Sequence, residues 1–194
     1  MMNLSVRNQL TIGAALVLLM IVTRGHHFSS LHGILPGASW AVFFLAGIYL
    51  RSAWPLTGLL ILTWVLDYSA YTWGGASSFC LTSAYVFLLP AYSALWYAGR
   101  WYACQHQFEW KTVLPLSLSL MTGAVVCELF SSGGFYFFSG RFEETTFAEF
   151  GQRLIQYFPH YVGALIFYIG ITAVIHTLFV YTRDTFRTHN NTAI

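Results

Sequence analysis

Long stretches without any charged residue constrain the fold of this 194-residue chain more than any other feature. No Asp, Glu, Lys or Arg occurs between Arg51 and Asp67, between Asp67 and Arg100, or between Arg153 and Arg183. Only 8% of the residues are charged, whereas a soluble domain carries roughly 25%. Because crossing a ~30 Å hydrocarbon core takes about 20 residues, such apolar runs predict membrane-spanning helices. They exclude a separate soluble catalytic domain, and a net charge of +2 is too small for a nucleic-acid-binding surface.

The apolar runs predict six spans that form a single transmembrane domain over residues 1–194. The first run ends at Arg24, and its exit lacks the small residues of a signal-peptide cleavage site, so we interpret it as a helix. The predicted fold class is an all-α integral membrane protein that also contacts the lipid bilayer. The six helices are expected at about 10–23, 36–50, 55–73, 80–102, 112–130 and 158–182.

Two of the predicted connections are distinctive. An uncharged turn, Gly74-Gly75-Ala76-Ser77-Ser78, separates helices 3 and 4. The longest loop is expected at residues 131–157, between helices 5 and 6. An alternative structure for residues 147–158, within this loop, is a short amphipathic helix that lies in the membrane interface.

The basic residues indicate how the six helices are oriented in the membrane. With the N-terminus inside, six basic residues fall in cytoplasmic segments: Arg7, Arg51, Arg100, Lys111, Arg183 and Arg187. Three fall in outer segments: Arg24, Arg141 and Arg153. Because cytoplasmic loops carry an excess of Lys and Arg, this distribution predicts an N-in, C-in orientation.

Several polar residues are then predicted at one depth, near the outer ends of the helices. Asp67 lies two thirds of the way along an outward-running helix, and Cys80 and Tyr85 lie at the outer start of helix 4. A charge within a membrane helix costs ~2.5 kcal/mol or more, so it usually faces a cavity or a partner. We therefore predict a polar pocket that is open to the outside.

The same residues also have structural interpretations. Asp67 can pair with Arg24, or with an outer-loop Arg, as a tie between helices. Glu128 is interpreted as structural or solvated, and His160 and His176 as hydrogen-bonded packing residues. The sequence alone does not separate these interpretations from a ligand site.

Cys80 is the cysteine whose position favours a chemical role. It follows the Gly/Ser turn at the start of a helix, and a helix N-terminus favours the thiolate, which is a nucleophile and a metal ligand. The alternatives are a small packing residue or a disulfide with Cys127. Cys104 is expected at the cytoplasmic end as a reduced thiol.

The residues from Ala38 to Tyr102 resemble a known family. The segments Ala38–Gly47, Asp67-Tyr68, Cys80–Tyr85 and Pro90–Tyr92, followed by Arg100-Trp101-Tyr102, are similar to those of the BtuM-type proteins. These are small bacterial inner-membrane proteins of the energy-coupling-factor S-component class, and they bind cobalamin (vitamin B12). The resemblance implies an outward-facing pocket closed by the loops between helices 1 and 2, 3 and 4, and 5 and 6.

The resemblance also implies a substrate and a metal ligand. Cys80 matches the cysteine that serves the family as an axial ligand to the cobalt of cobalamin, and a thiolate is a soft, strongly donating ligand. Cobalamin is expected as the bound substrate, with no further cofactor. We place Asp67, Tyr85 and Arg153 around the amide rim of the corrin, and Tyr68 and His27 complete the expected substrate-binding set.

The chain departs from the S-component pattern in helix 1. S-components that share an energising module carry Ala-x-x-x-Ala there, because small residues allow close helix contact. Here only Thr11 and Ala15 give small residues at that spacing. Docking to such a module is therefore doubtful, and the chain is expected to work alone. It has no nucleotide-binding Gly-x-x-x-x-Gly-Lys loop with which to couple ATP hydrolysis.

Cobalamin uptake is thus the function expected from the residues and the resemblance. A second expectation is chemical, since a thiolate bound to cobalt(III) can labilise the opposite cyanide of cyanocobalamin. The alternative is a membrane redox or maturation subunit that binds haem or quinone without transporting a substrate. His160 and His176 are about 24 Å apart along one helix, so they cannot hold one haem together.

Overall fold

The chain folds into helices throughout the part that the structure describes. The computed structural model describes residues 5–24, 35–73, 82–105 and 112–191, and side chains up to residue 178. No β-strand occurs in these four ranges, which confirms the predicted all-α class. The helices are α1 (Val6–Arg24), α2 (Ser39–Tyr49), α3 (Trp54–Thr72), α4 (Leu88–Gln105), α5 (Val113–Phe138) and α6 (Phe147–Asn191), and a 3₁₀ segment (Ser83–Phe87) precedes α4.

Three of these helices are long and apolar enough to cross a membrane. They are α1, α5 and the portion Phe147–Leu178 of α6. Large apolar side chains such as Leu118, Ile166 and Leu178 are exposed on α5 and α6, as expected for surfaces that face lipid. The chain therefore has the character of a membrane protein.

The boundary between α5 and α6 differs from the prediction of a loop at residues 131–157. Helix α5 continues to Phe138 and α6 begins at Phe147, so the connection is only residues 139–146. Gly140, at φ 67°, follows the C-cap Ser139 in the left-handed conformation that often terminates a helix. The expected helix at residues 147–158 is present, but it is the continuous first part of α6.

Local chemistry explains why α6 starts early. The Thr146 hydroxyl accepts a hydrogen bond from the Glu149 backbone N–H at 3.3 Å, as an N-cap does three residues before the donor. Glu149 also places a negative charge in the first turn, where it complements the helix dipole. Gly133 and Gly134 lie within α5, and the Phe150 and Phe87 rings pack where their side chains would be.

Helix α2 forms the centre of the bundle. Every residue from Trp40 to Gly47 is buried, so this helix faces protein on all sides. Phe43 stacks on Tyr92 of α4, with ring centroids 4.5 Å apart. A side-chain carbon at Gly47 would overlap the Trp96 carbonyl oxygen, and one at Gly99 would overlap the Phe44 carbonyl oxygen. The α2 and α4 backbones are therefore in direct contact, which small residues permit.

The ends of the helices show how the chain alternates in direction. At one end of the bundle the Arg24 side chain, from the last residue of α1, bonds Ser39 at the start of α2. At the other end the Gln9 side chain accepts a hydrogen bond from the Arg51 backbone N–H at 3.0 Å. There the Arg100 guanidinium also donates to the carbonyls of Leu50 and Arg51, beyond the end of α2. Helices α1 and α2 are thus antiparallel, and α2 and α4 are parallel.

The contact between α2 and α4 gives the first testable prediction. We expect Gly47→Ala and Gly99→Ala each to lower the free energy of unfolding by about 1–3 kcal/mol, because the added carbon forces the backbones apart. Gly58→Ala in α3 is the matched control, since nothing lies within 4 Å of its added carbon. Thermal unfolding of the purified variants in detergent measures the effect. Equal midpoints for Gly47→Ala and Gly58→Ala would contradict the close approach.

Candidate functional site

An ion pair between α1 and α3 lies at the centre of the candidate site. The Arg24 guanidinium donates from Nε to Asp67 Oδ1 and from Nη2 to Asp67 Oδ2, both at 2.7 Å. The side chains are 14% and 26% exposed, respectively, so the pair is largely shielded from solvent. This two-point geometry is the strongest form of an arginine–carboxylate contact, and it fixes the orientation of both groups.

Three hydroxyl groups complete a network around the ion pair. Arg24 Nη1 donates to Ser39 Oγ at 2.8 Å and to Tyr92 Oη at 2.9 Å. Tyr85 Oη donates to Asp67 Oδ2 at 2.8 Å. We call these residues the Arg24 network: Arg24, Ser39, Asp67, Tyr85 and Tyr92. Its members come from α1, α2, α3, the 3₁₀ segment and α4, so it connects five of the elements that the structure describes.

The backbone beside the network is not helical. Residues 36–38 precede α2 without regular structure, and Ala38 within them is fully buried. The Ala38 N–H donates to Thr23 Oγ1 at 3.3 Å, and the Pro36 carbonyl accepts from Tyr168 Oη at 2.6 Å. Non-helical backbone inside a membrane protein is tolerated only where it is buried in protein or lines a cavity. These hydrogen bonds satisfy the Ala38 N–H and the Pro36 carbonyl, and they hold Ser39 in place.

The network is electrically neutral, and its donors are nearly saturated. Arg24 uses four of the five guanidinium N–H groups that an arginine carries. Asp67 Oδ2 accepts from both Arg24 and Tyr85. The net charge of the pair is zero, so the surface offers hydrogen bonds rather than a strong field. It suits a neutral ligand with polar groups on its edge better than an anion.

The structure brings together some of the predicted site residues and not others. Asp67 and Tyr85 are joined by a hydrogen bond, and the Arg24 pairing that we considered as a structural tie is present. Tyr68 follows Asp67 but stacks on Trp64, with centroids 5.3 Å apart, and is 46% exposed. Cys80 and His27 lie outside the described residues.

Arg153 belongs to a separate cluster at the corner between α5 and α6. Its Nη2 donates to Glu149 Oε1 at 3.1 Å, and its guanidinium carbon lies 4.5 Å from the centroid of the Phe142 ring. The Tyr136 hydroxyl donates to Glu149 Oε2 at 2.9 Å and accepts from the Thr146 N–H at 3.1 Å. The arginine thus stabilises the short connection, and its recorded contacts do not reach the Arg24 network.

This corner nevertheless lies at the same end of the bundle as the network. Ser83 Oγ donates to the Phe138 carbonyl at 3.5 Å, and the Phe87 and Phe138 rings stack with centroids 5.0 Å apart. The 3₁₀ segment that supplies Tyr85 therefore contacts the end of α5. The helix ends that precede residues 25–34, 74–81 and 139–146 meet on one side of the protein.

Sequence reasoning missed two members of the network. Ser39 carries no sequence signal beyond being a small polar residue after Pro36-Gly37-Ala38. Tyr92 lies seven residues after Tyr85 in the predicted helix 4, and a spacing of seven residues places two side chains on the same face of a helix. That spacing, read together with the depth of Arg24, was the signal that could have identified it.

The described residues also bear on the metal and disulfide expectations. Within the described ranges, no group of three or more His, Cys, Asp or Glu side chains could hold a metal ion. Cys127 is a buried free thiol and Cys104 an exposed one. The alternative of a disulfide between Cys80 and Cys127 is therefore wrong, because the Cys127 sulfur is not bonded.

Comparison with known proteins does not add a family to these observations. No protein-family model matches the chain, and no curated protein matches it significantly. A functional assignment therefore rests on the residues themselves. The resemblance to BtuM-type proteins stays a prediction.

The Arg24 network gives the second prediction, a double-mutant cycle. We expect Arg24→Met and Asp67→Leu each to lower the free energy of unfolding by about 2–4 kcal/mol, because each leaves a shielded charge without its partner. The double variant should lose clearly less than the sum of the two. Arg7→Met, at an exposed position of α1, is the control and should change little. Additive losses in thermal or denaturant unfolding would show that the two charges are not coupled.

Proposed function

We propose that this chain is a cobalamin-binding uptake protein of the bacterial inner membrane, and that the Cys80 thiolate is an axial ligand to cobalt. The observation that carries the proposal is the Arg24 network. It supplies two predicted site residues, Asp67 and Tyr85, joined by a hydrogen bond of 2.8 Å. Cys80 is two residues before Thr82 in the sequence, in the stretch that connects the Asp67 helix to the Tyr85 segment.

The proposal includes six passes of the membrane, with both termini in the cytoplasm. Helices α1, α5 and α6 supply three passes that meet the length and composition of a span. Helices α2, α3 and α4 supply the others, and α2 is shielded from lipid because its central residues are buried. Two observations support this arrangement. Helices α1 and α2 run in opposite directions, and basic residues are in excess in the segments assigned to the cytoplasm. It places the Arg24 network towards the outside.

The chemistry of the network suits the edge of a corrin ring. Cobalamin carries amide groups around an apolar macrocycle, and neutral amides both donate and accept hydrogen bonds. Arg24 has one N–H that the network does not use, and the Asp67 and Tyr85 oxygens keep lone pairs that accept hydrogen bonds. Arg153, Tyr68 and His27 complete the proposed substrate-binding set. Arg153 contributes through the corner between α5 and α6, which lies at the same end of the bundle.

We also propose that the Cys80 thiolate promotes the loss of cyanide from cyanocobalamin. The Cys80 sulfur donates an electron pair to cobalt(III) on the face from which the nucleotide base of cobalamin has been displaced. The opposite cobalt–carbon bond then breaks heterolytically, and cyanide leaves with both electrons and takes a proton from water. Cobalt stays in the +3 state, so the step needs neither an oxidant nor a reductant.

The function is also proposed to need no attached energising module. The helix 1 surface has only Thr11 and Ala15 at the spacing of small residues that such modules use for docking. A solitary carrier of this kind would bind its substrate outside and release it inside. The alternative, a redox or maturation subunit, predicts bound haem or quinone in the purified protein and no uptake.

The third prediction concerns Cys80. Protein purified with added cobalamin should carry a cobalamin absorption spectrum altered by thiolate ligation. Cys80→Ser should lose that alteration and bind at least about tenfold more weakly, or ~1.4 kcal/mol, because an alcohol is a poor ligand for cobalt. Cys104→Ser is the matched control, since its thiol is exposed at the other end of α4.

The outcomes of this experiment separate the proposed functions. An unaltered cobalamin spectrum in a wild-type protein that binds the vitamin would rule out the thiolate ligand and cyanide removal but leave uptake intact. A wild-type protein that binds no cobalamin would overturn the proposal as a whole. A haem spectrum in the purified protein would favour the redox alternative.

The fourth prediction tests the orientation with the native thiols. A membrane-impermeant maleimide applied to spheroplasts should label Cys80 and spare Cys104, because the two lie at opposite ends of the predicted helix 4. In inside-out vesicles the pattern should reverse. Cys80→Ser and Cys104→Ser assign each signal, and buried Cys127 should remain unlabelled in both preparations. Labelling of Cys104 from the outside would contradict the N-in, C-in topology.

A further inference from the structure

A second acidic side chain is buried in the bundle, away from the ion pairs. Glu128 lies on α5 and is only 2% exposed. Its Oε1 accepts a hydrogen bond from Ser132 Oγ at 2.7 Å, one turn further along the same helix. Its Oε2 is buried without a hydrogen-bond partner. The carboxyl group therefore has one oxygen that accepts a hydrogen bond and one that is buried among protein atoms without a donor.

Neither of the two ion pairs among the described residues includes Glu128. The described ion pairs of Arg24 and Arg153 go to Asp67 and Glu149. Arg100 donates to the backbone carbonyls that follow α2. An isolated carboxylate inside a protein costs several kcal/mol more than the neutral acid, and a bilayer adds to that cost. In these surroundings the neutral acid is the form with the lower free energy.

We propose that Glu128 is a proton-binding site buried in the helix bundle, a carboxylic acid that keeps its proton at neutral pH. The ligand of this site is the proton itself, held as an O–H group on the carboxyl. The inference does not depend on cobalamin or on Cys80. It assigns a function to an acid that neither the Arg24 network nor the α5–α6 corner uses.

The titratable groups on the neighbouring elements are engaged elsewhere. On α4 and the 3₁₀ segment, Tyr92 and Tyr85 belong to the Arg24 network, and Arg100 caps α2. On α6, Glu149 accepts hydrogen bonds from both Arg153 and Tyr136. On α2, Tyr49 lies at the opposite end and packs on His176 of α6. Cys127, the residue before Glu128 on α5, is also titratable.

Cys127 connects the proton site to the Arg24 network. Its buried thiol interacts electrostatically with Glu128 and with the Tyr92 hydroxyl. Tyr92 in turn accepts a hydrogen bond from Arg24. Cys127 thus lies between the proposed proton site and the Arg24 network.

The fifth prediction is spectroscopic and needs no ligand. Infrared spectra of the purified wild-type protein at pH 7 should contain the carbonyl stretch of a protonated carboxylic acid, and that band should shift in D₂O. Glu128→Gln should remove the band, because the amide cannot carry it. Glu144→Gln, at an exposed position, is the matched control and should leave the band unchanged.

Further variants guard against a loss of fold. Ser132→Ala removes the hydrogen bond to Oε1 and should shift the Glu128 band without abolishing it. Glu128→Asp keeps a buried acid and should also retain a shifted band. If the wild-type protein at pH 7 shows no protonated-acid band that Glu128→Gln removes, Glu128 is ionised and the proposal is overturned. Because no cobalamin is added, this result is independent of the outcome at Cys80.

Discussion

The ion pair between Arg24 and Asp67 is the constraint on which the arrangement of the first four helices depends. Each charge would be costly alone among apolar helices, and the two-point contact at 2.7 Å neutralises both. The remaining guanidinium donors then select hydroxyl partners on α2 and α4. One electrostatic requirement thus aligns the end of α1, the start of α2, the middle of α3 and the start of α4. The polar side chains of the Arg24 network are brought together by that alignment.

Close backbone contact in the middle of the bundle complements this polar tie. Gly47 and Gly99 let α2 and α4 touch, while the network holds one end of the pair and Arg100 holds the other. Van der Waals contact is the main attraction between helices in lipid, so the missing side chains at these glycines count more than they would in water. The result is a closely packed central pair, α2 and α4, with the other helices around it.

The sequence predicted the class of the protein better than its details. Long runs without charged residues indicate that a helix is surrounded by lipid, so the helical, membrane-embedded character could be predicted from the sequence. The Arg24–Asp67 pair could be predicted as well. The α5–α6 boundary was not, because Gly133 and Gly134 look like turn residues until Phe150 and Phe87 are seen packed against them. The local signal Thr146-x-x-Glu149 would have located the start of α6. Ser39 joined the network only through tertiary contacts, which one sequence does not reveal.

The shortness of α2 has a geometric consequence for anything that enters the bundle from the network side. Eleven residues of helix rise about 16 Å, roughly half the thickness of a hydrocarbon core. Residues 36–38 precede this helix without regular structure, and Ala38 among them is fully buried. A molecule resting on the first turn of α2 would lie beside the end of α1, because Arg24 there donates to Ser39. The fully buried stretch Trp40–Gly47 would lie beneath it, so a path through this part of the bundle would have to pass around α2 and not along it.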